Sequence, residues 1–220
     1  MGTATVAPTG ATHFSADDYL ITPVRRAVQH KQDVLIAMNG VDQLLVRGQS
    51  GEYFAATGVD MAALCTAPAT RLHVTVADAG ALRTNQAAAS KRNELSLKAM
   101  RNLDELLWMA GFYASAGRLL EGCNGFDVVQ IRHWPNLSRL PHTPNTMRIV
   151  AMLTRHPTSI SLAHRLLKID PKELYQIYSA ARCAGLIIVV NGSADAPEPI
   201  LKPHRNQTLL SHLLAKIAGL

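Results

Sequence analysis

Long apolar runs are missing from this chain. No stretch of its 220 residues approaches the roughly 20 consecutive apolar residues that a membrane helix needs. The expectation is therefore no membrane partner. Cysteine is scarce as well. Cys65, Cys123 and Cys183 stand far apart and form no CxxC pair, which leaves a structural zinc site or a redox dithiol without support. Three lone thiols suit a reducing cytosol, most of them packed as small hydrophobes, so the expected location is cytoplasmic. The N-terminal "MGTATVAPTGATHF" has neither the basic segment nor the apolar core of a secretory signal, and residues 1–14 read as a flexible tail.

Catalytic signatures are equally sparse. "GVDQLLVRGQSG" has neither phosphate-loop nor dinucleotide spacing, and no Lys-Ser/Thr follows it. No G-x-S-x-G elbow and no HExxH occurs. The nine histidines are scattered singly, and the nearest set, His133, His142 and His156, does not converge by spacing. Asp17-Asp18 and Asp104-Glu105 are adjacent carboxylates; neighbours on a helix point to different faces, so they read as a complement to the helix N-terminus and as solvated surface. The expectation is no enzyme, no cofactor and no metal.

What the chain does have is apolar residues to fill a core, 48% of the total, with an unremarkable mean hydropathy of +0.06. Its net charge of +6 is unevenly spread. Residues 143–220 hold nine Lys/Arg against four Asp/Glu, so nearly all the basic excess lies there. A bias of this kind suits a polyanion or an acidic partner, or simply a solvated surface.

The apolar pattern divides the chain. "SADDYLITPVRRAVQHK" predicts a helix capped by Ser15 and reaching about His30, with Pro23 able to shorten it. The runs "DVLIAMNG", "DQLLVRG", "GEYFAATG" and "RLHVTVAD" predict an antiparallel meander with Asn39-Gly40 at one turn. Val34, Leu35, Ile36, Ala37 and Met38 are all apolar, as in a strand buried on both faces. From about Ala87 the period becomes helical through Leu95, Ala99, Leu103, Leu106, Ala110 and Tyr113, with a break near Gly111. "DVVQIRH" then reads as a short strand inside a Pro-punctuated connector. The expected units are an α/β (α+β) domain over 15–141, a second domain over 142–203 and a closing amphipathic helix within 204–220.

The most specific pattern runs from Thr143 to Ile187. A helix ends near His156-Pro157, a second spans about Ser159 to Lys168, and a third starts at Asp170-Pro171 and stops at Gly185. Asp170 caps, Pro171 fits the first helical position and Glu173 completes a box-like pattern. Leu162, Ala163 and Leu166 are expected to face inward, Ile169 to plug the turn, and Leu174, Ile177, Tyr178 and Ala181 to form the buried face of the third helix. With "ARCAGLI" leading into "LIIVV" and "PILKP" as a hairpin, the segment resembles the winged helix-turn-helix superfamily over about 60 residues. That resemblance implies either DNA binding or a grip on another protein. For DNA, the outward face of the third helix would carry Lys172, Tyr175, Gln176, Ser179 and Arg182 to read bases and meet phosphates. Glu173 at the helix start, and Asp195 and Glu198 in the wing tip "NGSADAPEP", oppose a phosphate backbone.

A second resemblance covers residues 30–140. "NLDELLWMAGFYASAGRLLEG" followed by "VVQIRHWPNLSRL" resembles the PATAN-type region of bacterial signalling proteins. It implies a small β-unit with a helical insertion, acting as a non-enzymatic adaptor for a response regulator or a small Ras-like GTPase. In the same stretch Trp134, flanked by Arg132, His133 and Arg139, has the character of an interface anchor, or of a wedge between the two domains. Two outputs follow as expectations. One is a signal-transduction adaptor anchored by Arg132, Trp134 and Arg139. The other is a transcriptional regulator reading the major groove with the helix 171–184. Leu209, Leu210, Leu213, Leu214 and Ile217, in a helix over 208–217, would serve a homodimer or pack within the chain.

Overall fold

Asn39 and Gly40 both take positive φ, 54° and 75°, the two-residue turn whose twist matches a β-hairpin. In the computed structural model, which describes residues 11–77 and 100–191, that turn joins β2 (Asp33–Met38) to β3 (Val41–Arg47). β4 (Glu52–Ala55) follows beside β3, so the expected meander is present. A short helix, α2 (Met61–Thr66), starts where the Asp60 carboxylate accepts from the Ala62 and Ala63 amides, and leads to β5 (Leu72–Val76) on the far side of β2. β6 (Arg101–Asn102) pairs with β4. The sheet order is β5-β2-β3-β4-β6, antiparallel at every step. Val34, Ile36, Leu44, Val46 and Tyr53 are buried on its core face. Leu35, Ala37 and Met38 are only half-buried, so β2 is less enclosed than its unbroken apolar run suggests.

The helix expected from Ser15 is interrupted. Ala16–Asp18 make one 3-10 turn that Ser15 does not cap with its side chain, Tyr19 is extended, and α1 begins afresh at Ile21 and runs to Gln29. Pro23 falls in its first turn, where a missing N–H is harmless. Two residues of the tail expected over 1–14 belong to the fold: β1 (His13–Phe14) pairs in parallel with β7 (Leu119–Leu120), and Phe14 is buried.

At the centre lies α3 (Leu103–Ser115), buried at every residue except Asp104 and Tyr113. It is not broken near Gly111. The glycine is there for a different reason. A Cβ on it would lie 2.9 Å from the Cβ and Sγ of Cys183 and 3.0 Å from the Cα of Ala180. Both belong to α6 (Pro171–Cys183), so the missing side chain lets the two helices cross at close range. Leu95 and Ala99 lie outside the described residues.

The remaining elements are β8 (Val128–Ile131), α4 (Thr146–Arg155), β9 (Thr158–Ser159), α5 (Ile160–Leu167), α6 and β10 (Ile187–Val189). The local signals at their ends act much as the sequence implies. Ser159 accepts from the Leu162 amide, Asp170 accepts from the Lys172 amide, Ile169 is buried in the turn and Gly185 takes a φ of 71°. Glu173 departs from expectation. Its two carboxylate oxygens accept from the Asn145 amide at 3.0 Å and from Asn145 Nδ2 at 2.9 Å, which ties the start of α6 to the start of α4.

β8 is the central strand of the sheet β10-β8-β9, antiparallel to both neighbours. This sheet crosses the boundary expected near residue 141, and one continuous hydrophobic core contains residues from both sides of it. "PILKP", the wing tip with Asp195 and Glu198, and the helix expected over 208–217 lie outside the described residues. Among the described residues no helix is long and apolar enough to cross a membrane.

Candidate partner-binding surface

Two surfaces were singled out by residue type: the connector around Trp134 and one face of the helix now seen as α6. The structure treats them oppositely.

The α6 face is engaged within the molecule. Ser179 is fully buried; its hydroxyl accepts from the Leu120 amide at 3.1 Å and donates to the Arg118 carbonyl at 3.2 Å. Gln176 donates from Nε2 to the Phe112 carbonyl of α3 at 3.0 Å. Tyr175 is half-buried against the core. Arg182 is half-buried, and its carbonyl is approached by the Arg25 guanidinium of α1 at 3.5 Å. Of the five residues proposed to read DNA, Lys172 alone is exposed. The expectation of an outward-facing set is therefore corrected. The buried face on Leu174, Ile177, Tyr178 and Ala181 is as expected, but a second face of small residues, Ser179, Ala180 and Cys183, is buried too. A helix buried on two faces belongs to the core even though its remaining positions are polar.

The connector is held firmly and still presents its polar and aromatic residues to solvent. At its start the Arg132 amide donates to the Leu186 carbonyl at 2.9 Å. At its end Trp108, itself fully buried on α3, donates from Nε1 to the Pro141 carbonyl at 3.0 Å. Pro135 and Leu140 are buried between these anchors. A tight turn follows Pro135, with the Arg139 amide on the Asn136 carbonyl and the Ser138 hydroxyl on Asn136 Oδ1. Trp134 stays 47% exposed, and Arg132, His133 and Arg139 on the same connector are exposed as well. The alternative of Trp134 as a wedge sealed between domains does not fit that exposure. The tryptophan that packs inside is Trp108.

A buried carboxylate lies within electrostatic reach of the connector. Glu105 on α3 is 9% exposed, and its Oε2 has no hydrogen-bond partner among the described residues. Burial pushes its carboxyl above the ordinary range, and neighbouring Asp104 adds to this; Arg139 on the connector and Arg101 on β6 pull the other way. The reading of Asp104-Glu105 as solvated surface is thus corrected for Glu105. Its burial follows from the helix: position 105 shares a side of α3 with Trp108 and Met109, both of them buried.

No protein-family model, curated protein or solved structure matches this chain. The chemistry must be read from the residues themselves. All three cysteines are buried. Burial, helped by Asp60, pushes the Cys65 thiol up to about 12, which makes it a poor nucleophile. Among the described residues no group of three or more His, Cys, Asp or Glu could hold a metal ion. The connector presents an exposed aromatic ring and exposed cations on a backbone hydrogen-bonded at both ends.

Proposed function

We propose that the chain is a non-enzymatic regulatory adaptor that works by protein–protein contact, with Arg132, Trp134 and Arg139 as the contact residues. The observation that carries this reading is a half-exposed tryptophan on a connector pinned at both ends. A large exposed aromatic on a preordered backbone loses little conformational entropy on binding, and tryptophan and arginine are the residue types that most often dominate interface energies. The resemblance of residues 30–140 to PATAN-type regions supports the same reading, and it proposes a response regulator or a small Ras-like GTPase as partner in a bacterial cytoplasm. The winged-helix form of the C-terminal part is proposed on its element order, with α4, β9, α5, α6 and β10 in sequence. In this reading the winged helix serves as a scaffold, since Gln176 and Ser179 already bond within the molecule.

The test is to titrate purified response regulators and small GTPases of a bacterial source against the protein and its Trp134→Ala variant by calorimetry. The variant should keep the thermal midpoint of the parent while binding weakens by about 30-fold, the effect of losing about 2 kcal/mol at a hot spot. Equal affinity of variant and parent would overturn the connector as the contact site. A large fall in thermal midpoint would show instead that Trp134 holds the fold.

A further inference from the structure

Helix α5 shows a face that the sequence placed inside. Leu162 is 41% exposed and Leu166 60% exposed, whereas Ile160 and Ala163 take the buried side. Leu162 and Leu166 are four residues apart, so their side chains stand one above the other along a single ridge. Phe126, 58% exposed, belongs to a loop held against the first turn of the same helix. Its loop is fixed there: the Ser161 amide and hydroxyl both donate to the Gly125 carbonyl, and the Ile160 amide donates to the Asp127 carbonyl. Asp127 is locked in turn by the Tyr178 hydroxyl at 2.7 Å and by the Asn124 amide at 2.7 Å. The ridge is therefore a fixed feature.

Its electrostatic setting is predominantly positive, the nearest acids being engaged within the chain: Asp127 with Tyr178, Asp170 as the cap of α6 and Glu173 with Asn145. From Thr146 to Lys168 the chain contains Arg148, Arg155, Arg165 and Lys168, and no Asp or Glu at all. Arg165 is exposed between the two leucines in sequence, and Lys168 is exposed at the end of the helix. Arg148 reaches across from α4 to donate to the Leu167 carbonyl at 2.9 Å, which puts a third cation at the C-terminal end of α5. A single exposed leucine needs no explanation. Two on one ridge, with a phenylalanine at one end and cations along and beyond it, form a surface with an apolar stripe and a positive rim.

We propose that this face of α5 docks an acidic amphipathic helix of a partner protein. The i, i+4 ridge is the shape that fits the groove between side-chain rows of another helix. The cations select a partner whose apolar stripe is flanked by Asp and Glu. A nucleic acid would use the cations and gain little from the leucines, so the exposed apolar residues favour protein. The surface is separate from the connector: Phe126 and α5 lie at the N-terminal end of β8, and Arg132 at its C-terminal end. The inference stands whether or not Trp134 is a contact residue.

The experiment measures fluorescence anisotropy of two labelled helical peptides of roughly 20 residues with the same leucine spacing. One carries flanking glutamates, the other flanking lysines, and a labelled DNA duplex is the third probe. The full chain should bind the acidic peptide at least tenfold more tightly than the basic one. The double variant Leu162→Ser/Leu166→Ser should lose at least tenfold in that affinity with an unchanged thermal midpoint, because both side chains are exposed. Arg165→Glu should weaken the acidic peptide and strengthen the basic one, which simple loss of folding would not do. Trp134→Ala should leave the acidic peptide's affinity unchanged, so failure of the connector reading and failure of this one are distinguishable. The proposal is overturned if the acidic peptide has no advantage, if the leucine variant binds as well as the parent, or if the duplex binds with a steep salt dependence that ignores the leucines.

Discussion

Two glutamates with nearly the same intrinsic chemistry are driven in opposite directions by their surroundings. Glu105 is buried with one carboxylate oxygen unpartnered among the described residues, and its pKa is raised by that burial and by Asp104. Burial alone would also raise Glu173, but hydrogen bonds from Thr143 and Asn145, with the Arg148 cation nearby, outweigh it and the pKa is lowered. The signs follow from linkage. A raised carboxyl favours folding while it is protonated, so Glu105 is best tolerated below the ordinary carboxylate range and costs stability as pH rises through its folded value. A lowered carboxyl contributes stability above the ordinary range and loses it as pH falls through the folded value. Thermal melts of Glu105→Gln should therefore show a higher midpoint than the parent at pH 7, with the gain vanishing as pH falls toward 4. Glu173→Gln should show a lower midpoint at pH 7, with the loss shrinking over the same range. A Glu105→Gln variant less stable than the parent at neutral pH would show that its carboxylate is compensated after all. Neither behaviour is legible in the sequence, where one glutamate looks like helix surface and the other like half of a capping box.

At the scale of elements, the features legible in the sequence are those set by local signals. The Asn39-Gly40 hairpin, the caps at Ser159 and Asp170 and the stop at Gly185 depend on a few neighbouring residues, and those residues are diagnostic. What failed depended on packing between distant elements. Gly111 looks like a helix break in isolation and is instead the point where α3 and α6 touch. Leu162 and Leu166 look like core by composition, but the inward side of α5 belongs to Ile160 and Ala163. A hint was present in the small residues of "YSAARCAG" and "AGFYASAG", which allow two helix backbones to approach closely, but small residues alone do not name their partner. The contact can be tested directly. Gly111→Ala places a methyl group 2.9 Å from Cys183 and 3.0 Å from the Ala180 backbone, so the helices must part. Chemical denaturation should show a loss of about 1–3 kcal/mol, the usual effect of overpacking a core. If the Cys183 thiol is what resists, Gly111→Ala/Cys183→Ala should recover part of that loss. An Ala variant as stable as the parent would mean that the crossing is looser than these distances imply.

The whole molecule behaves as more than two units joined by a linker. β9 and β10, which flank α5 and α6, both pair with β8, and β8 precedes the connector. Among the described residues neither strand has another partner in a sheet. α6 buries one face on α4 and α5 and the other on α3, so removing the N-terminal part would expose Ser179, Ala180 and Cys183 together. A fragment over 143–220 thus keeps the helix-turn-helix pattern while losing the central strand of its sheet and the helix that covers its third helix. Burial of that face and two strand ladders contribute cooperatively, and a unit of this size has little stability to spare. The fragment should show helical circular dichroism without a cooperative thermal transition and poorly dispersed amide resonances, whereas the full chain should show a single cooperative melt and dispersed resonances. A sigmoidal melt from the fragment would mean that the helix-turn-helix folds by itself, and would free the face of α6 for other partners. If the fragment fails while the full chain melts as one unit, the surfaces on the connector and on α5 are held in fixed relation by the same strand, one at each end of β8.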